Sequence, residues 1–290
     1  MKRAIAPFQD WVRRQGAWRR IGLFLGLLAI AWSPIAFSVY WPGAWFNDSN
    51  TAEIISLALV YLGFLYGLPK WGRAIHGWPA PFVRCGLLFR AQTVRDLCLA
   101  FVIGAFGVFG LFGIETLAGW ATPTTPSPRF VFFVFEGLLM ALAVGLAEEL
   151  LFRGWVLAEL EQNYSALAAL WMNAAFFAGT HFIKPLNVIL QTLPQFFGLF
   201  ALGLALVWAR RSPTGTHKLT RLGYPIGLHA GLIWGYYVVT VGGLSEYTGR
   251  APEWVTGIGE NPLAGLLGII LLGLIGRRFS KCAQPKCISD

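Results

Sequence analysis

Charge is what this chain of 290 residues has least of: Asp, Glu, Lys and Arg together make up 13%, against 56% apolar residues. A soluble globular domain carries about one quarter charged residues, so an ordinary soluble fold is excluded and a membrane protein is indicated. Cysteine is also scarce, with four in all. Cys85 and Cys98 lie in or beside apolar segments, and Cys282 and Cys287 form a lone C-x4-C pair in a basic tail. That is neither a disulfide framework nor a zinc site. The terminal Cys-Ile-Ser-Asp fits the prenylation pattern badly at its last two positions. Internal repeats, low-complexity tracts and long linkers are missing, so one helical domain is expected.

Acidic residues number 14 against 23 basic ones, a net charge of +9. Such a balance can mean nucleic-acid binding, but here the basic residues flank apolar runs instead of covering a soluble face. Attraction to anionic lipid explains them, and no nucleic-acid partner is expected.

What the chain does have is apolar runs of about 20 residues, the length that crosses a ~30 Å hydrocarbon layer. Eight are found near 21–40, 53–69, 97–117, 131–158, 165–182, 188–209, 223–241 and 261–276, which predicts an all-α polytopic transmembrane bundle of about eight spans. The first is too long for a signal-peptide core and no small-x-small cleavage site follows it, so it is expected to remain as a helix. Residues 1–20 read as a basic arm and 21–129 as N-terminal helices, with an interfacial segment at 70–95 rich in Trp, Pro and Arg. Residues 130–241 hold the candidate site, and 242–290 a loop, a last helix and a tail. Basic residues cluster in the arm, in 70–95, in 210–221 and in 277–286, whereas the alternate connections hold only Arg129, Lys184 and Arg250. The bias predicts that both termini face the cytoplasm.

Inside the fourth run lies LAEELLFRG, residues 146–154. Three ionisable groups at mid-membrane cost on the order of 3 kcal/mol each, more than packing alone justifies. Glu149 and Arg153 are four apart with the acid first, the favourable order for a helical pair. Glu148 points about 100° away and is left without an answer. The small residues Ala141 and Gly145 beside it allow another helix to approach closely.

Two histidines in apolar surroundings could supply that answer: His181 in NAAFFAGTHF and His229 in PIGLHAGLIW. With the turn between helices 4 and 5 centred near Asn163, Glu148 and His181 reach similar depths, about 22 and 27 Å from it. Asn173, Phe177 and His181 share one face at four-residue spacing, which would orient the imidazole from within its own helix. A bland alternative is that each polar group simply glues helices together.

Glu148-Glu149-x-x-x-Arg153, Phe177-x-x-x-His181 and His229, in that order on separate helices, resemble the three motifs of the CPBP intramembrane proteases. That family, also called ABI, includes the type II CAAX prenyl endopeptidases and bacteriocin-processing or immunity proteins. The resemblance covers about 130–241. It implies a helical bundle with a cavity open toward the cytoplasm and peptide hydrolysis without a covalent intermediate. Glu148 would be the base that activates water, His181 would position that water, and His229 would stabilise the oxyanion. Glu149, Arg153, Asn173 and Phe177 would support them. The substrate implied is a membrane-associated protein or peptide, prenylated in the family's best-known branch. Ile233 departs from the pattern, since family members often carry Asn or Asp there, and Asn173 or a backbone amide would have to replace that donor.

No serine or cysteine nucleophile has comparable spacing. The helical H-E-x-x-H signature of zinc proteases is missing, although Glu148, His181 and His229 could also make a three-ligand zinc site. Metal-independent glutamate catalysis is the preferred reading. Two others stand beside it: an inactive scaffold of the same fold, and a proton-coupled transporter for which Glu136, Gln191 and Gln195 are a thin supply of polar residues.

Overall fold

The computed structural model describes residues 2–40, 49–212 and 221–283. His217, Lys218, Lys286, Cys287 and the terminal Cys-Ile-Ser-Asp lie outside them. The described chain is overwhelmingly helical, as its apolar runs require. Four helices are long and apolar enough to cross a membrane, Ala17–Ser38, Thr51–His76, Ala91–Leu117 and Phe130–Leu160, or five if a pair bent by 72° is one span. All eight predicted runs contain helix; of the others among the described residues, Ala166–Thr180 has 15 residues, while Gly223–Thr240 and Leu266–Ala283 have 18 each but carry more polar or charged residues.

Contacts sort the chain into two compact units where the sequence suggested one domain. The first comprises residues 1–85 and 158–164. Its helices are α1 (Lys2–Arg13), α2 (Ala17–Tyr40), α3 (Ser49–His76) and α4 (Pro81–Arg84). Phe24 of α2 packs on Trp71 of α3 with ring centroids 5.2 Å apart. Arg13 Nη2 donates to the Ala74 carbonyl at 2.6 Å, satisfying an oxygen that the end of α3 leaves open. Helix α3 therefore continues through residues 70–76, which the sequence assigned to the interface, and Pro81 then opens α4 at the position where a missing N–H costs nothing.

The second unit comprises residues 86–157 and the chain from Ser165 onward. It holds α5 (Ala91–Leu117), α6 (Phe130–Glu149) and a π-helical turn over Leu150–Val156, after which the helix runs on as α7 (Leu157–Leu160), whose residues from 158 on are counted with the first unit. Next come α8 (Ala166–Thr180), capped by Ser165 Oγ accepting from the Ala168 N–H, and the bent pair α9 (Leu186–Thr192) and α10 (Gln195–Arg211). The unit closes with α11 (Gly223–Thr240), α12 (Glu253–Thr256) and α13 (Leu266–Ala283).

Helix α11 runs parallel to α5 at backbone contact. A methyl group placed on Gly227 would strike the Leu97 carbonyl, and one on Gly231 the Phe101 carbonyl. Gly223 and Gly235 continue the seam at the same four-residue interval. On its other side α11 meets α6, where a Cβ at Gly145 would lie 3.3 Å from that of Ala230. The close approach expected at Ala141 and Gly145 is thus made by α11. Because α5 and α11 end side by side, the segments that follow them meet. Strands β1 (Ala121–Pro123) and β2 (Ser245–Tyr247) pair antiparallel, with Thr122 opposite Glu246. Three-residue strands carry no alternating pattern, so neither stretch stands out in the sequence as a strand.

Candidate functional site

Glu149 is the last residue of α6 and is fully buried. Its Oε1 accepts from Arg153 Nη1 at 2.9 Å, the pair expected from the sequence, and also from His229 Nδ1 at 2.8 Å. The second partner was not foreseen, because it lies 80 residues away on α11. An oxygen that already takes an arginine donor is a carboxylate, so His229 Nδ1 carries a proton and donates it. The imidazole is thereby fixed, and its Nε2 lies 4.0 Å from Glu148 Oε2.

Arg153, also fully buried, directs Nη2 toward the Gly203 carbonyl at 3.4 Å and places its guanidinium 4.1 Å from the Phe177 ring centroid. A planar cation over an aromatic face is a favourable way to hold a charge away from water.

The π turn explains two further contacts. Its wider winding shifts the helical hydrogen bonds and presents carbonyls that side chains from other helices can reach. Asn173 Nδ2 donates to the Phe152 carbonyl at 2.8 Å, and Arg210 Nε to the Arg153 carbonyl at 3.3 Å. Asn173 is fully buried in this task and does not line the cavity, so it does not take the place of a donor missing at Ile233.

His181 caps the C-terminus of α8. Its Nδ1 lies 2.8 Å from the Phe177 carbonyl. A carbonyl only accepts, so the proton is on Nδ1 and Nε2 holds a free lone pair. The imidazole is oriented from within its own helix, as the spacing predicted, though through a backbone oxygen. The Phe177 ring meets His181 edge to face at 4.8 Å and His229 at 6.0 Å, packing between the two.

Glu148, His181 and His229 all line one cavity of about 350 Å³. Val144, Leu199, Leu202, Leu232, Ile233 and Leu271 make most of its wall apolar, and Lys184, Gln195, Tyr236 and Asn261 add polar groups. The Glu148 side chain is 29% exposed, and its Oε2 has no hydrogen-bond partner. The structure thus brings together the three residues named as catalytic, with Phe177 among them, and puts Glu149, Arg153 and Asn173 behind the wall. Among the described residues no three His, Cys, Asp or Glu side chains are grouped so as to hold a metal ion.

One cluster escaped the sequence. In the first unit Glu159 is fully buried and accepts from Arg20 Nε at 2.9 Å, Trp71 Nε1 at 2.9 Å and His76 Nε2 at 2.7 Å. The stretch AELEQNY, residues 158–164, reads as the polar end of the hairpin between the fourth and fifth apolar runs. The usable signal was the phase of Glu159 on a helix whose other acids were already under suspicion.

Residues 130–242 match the family model described as type II CAAX prenyl endopeptidase Rce1-like. No curated protein and no solved structure matches the chain.

Proposed function

We propose, on the match of residues 130–242 to the type II CAAX prenyl endopeptidase Rce1-like family model, that the chain is an intramembrane endopeptidase in which Glu148 activates water. One observation carries the reading. Glu148 lines a largely apolar cavity with its side chain 29% exposed and its Oε2 without a hydrogen-bond partner; His229, held through Nδ1, has its Nε2 4.0 Å from that oxygen, and His181, also held through Nδ1, lines the same cavity.

The division of labour follows from those bonds. Glu148 takes a proton from water as the oxygen attacks the scissile carbonyl, then passes it to the leaving amine. His181, with its lone pair on Nε2, accepts from the same water and sets its direction. His229 rests on the Glu149 carboxylate, which stabilises an imidazolium, so a proton on Nε2 can be directed at the developing oxyanion. Arg153 holds Glu149 in place. The apolar walls limit bulk water and strengthen each of these interactions. We propose the metal-free version: zinc, if bound, would supply a Lewis acid at the same water, but the described side chains form no three-ligand group.

The substrate class proposed is a membrane-associated protein or peptide that enters from the lipid. The charge bias favours both termini on the cytoplasmic side, and the family resemblance implies a cavity open to that side. Ile233 in the cavity wall favours a second reading, a slow enzyme or inactive scaffold, since losing one oxyanion donor typically costs about 10²–10³ in rate.

Glu148→Gln is the test. Turnover of membrane peptides should fall by about 10²–10⁴ with folded yield unchanged. Equal activity of the variant and the parent would end the protease reading.

A further inference from the structure

Next to the catalytic cavity, on the far side of its lining residues Tyr236 and Asn261 and where β1 and β2 pair, the molecule has two adjoining cavities of about 480 and 300 Å³. Tyr247 and Glu260 line both. The larger is walled by Trp120, Tyr247, Glu253 and Glu260, with Gly249, Gly257 and Gly259 leaving room; the smaller adds Ser245 and Glu246. In a chain with a net charge of +9, these walls contain carboxylates and aromatic rings and no basic side chain.

Unpartnered groups mark the same place. Glu115 is fully buried at the end of α5, and neither of its carboxylate oxygens has a hydrogen-bond partner. The Tyr247 hydroxyl lies beside it outside hydrogen-bond geometry, and both that oxygen and Ser245 Oγ are buried and unsatisfied. Burial and then the Glu115 charge push the Tyr247 phenol above its ordinary range, so it stays protonated. Of these groups Ser245 and Tyr247 line the smaller cavity, so their hydroxyls are the ones a ligand there could engage.

The backbone at the site is strained as well. Glu260, with φ 60°, is the one non-glycine residue in the left-handed region among the described residues. Its carbonyl accepts from the Tyr236 hydroxyl at 3.2 Å, which holds the turn. Strain of this kind persists where the surroundings impose it, commonly at ligand sites.

We propose that these paired cavities bind an organic primary ammonium group, with Glu260 and Glu253 as counter-charges, Trp120 and Tyr247 as the aromatic wall, and Ser245 adding a polar group to the smaller cavity. Carboxylates alone would attract any cation. The two aromatic walls select a weakly hydrated organic one over a metal ion, which needs a tighter shell of oxygens. The ammonium can come from a phospholipid ethanolamine headgroup or from a soluble amine.

Isothermal titration of the full chain in maltoside micelles with spermidine distinguishes the outcomes and does not depend on proteolysis. Saturable binding is expected, weakened at least tenfold in the Glu253→Gln, Glu260→Gln double variant and unchanged in Glu53→Gln, a glutamate of α3. Near-ultraviolet circular dichroism checks that each variant is folded. Displacement of spermidine by short-chain phosphatidylethanolamine assigns the site to lipid, and no displacement assigns it to a soluble amine. No saturable binding by the parent, or equal affinity in the folded double variant, overturns the proposal.

Discussion

Arg153 stands between a carboxylate, a ring face and a carbonyl, and each would be left exposed to a low-dielectric interior without it. Arg153→Ala strands the Glu149 charge with His229 alone. Breaking a buried pair from one side costs about 3–5 kcal/mol, so the variant should lose folded yield and melt well below the parent, as thermal size-exclusion chromatography would show. Glu148→Gln should leave that melting point in place, because Glu148 is partly exposed and its Oε2 makes no hydrogen bond. A second residue-scale expectation concerns metal. Long dialysis against a strong chelator should leave proteolysis intact, and the purified protein should hold much less than one zinc per chain. A stoichiometric zinc signal lost in His229→Ala would reverse the metal-free mechanism. The sequence made the Glu149–Arg153 pair legible because four-residue spacing is a local property. It could not show that Glu149 also holds His229, since that bond depends on how α6 and α11 meet.

Among the helices, the seam between α5 and α11 decides where His229 stands. Gly227 and Gly231 flank it by two positions on each side, and both lie against carbonyls of α5. Gly227→Leu or Gly231→Leu must push the helices apart, at a cost of at least the 1–3 kcal/mol of ordinary overpacking, and should remove folded protein. Gly110→Leu and Gly273→Leu, at positions where an added Cβ would meet nothing within 4 Å, should be tolerated in the same expression assay. The Gly223, Gly227, Gly231, Gly235 spacing was present in the sequence as a close-packing signal. The π turn was not, because its residues LLFRGWV read as uninterrupted apolar helix. Asn173 was consequently assigned to the site face, when the carbonyl it reaches is offered only by that turn.

For the molecule as a whole, composition made the membrane character and helical class plain, and the apolar runs located the helices. The division into two units was hidden because it rests on seven residues, 158–164, that belong with the N-terminal helices. Glu159 is the reason they do. Glu159→Ala should destabilise the first unit by several kcal/mol, since it leaves Arg20 and His76 without their shared carboxylate, and limited proteolysis should then cut within α1 to α4 sooner than in the parent. The same cluster sets an order of events during synthesis. Arg20 leaves the ribosome 139 residues ahead of Glu159, an interval of roughly 7–28 s at 5–20 residues per second. Throughout that delay the N-terminal helices carry a cation whose counter-ion has not been made. Their final packing is therefore an event of late translation, complete only when the fourth long helix has been delivered, and whatever shields Arg20 meanwhile, lipid phosphate or a chaperone, is part of how this chain matures.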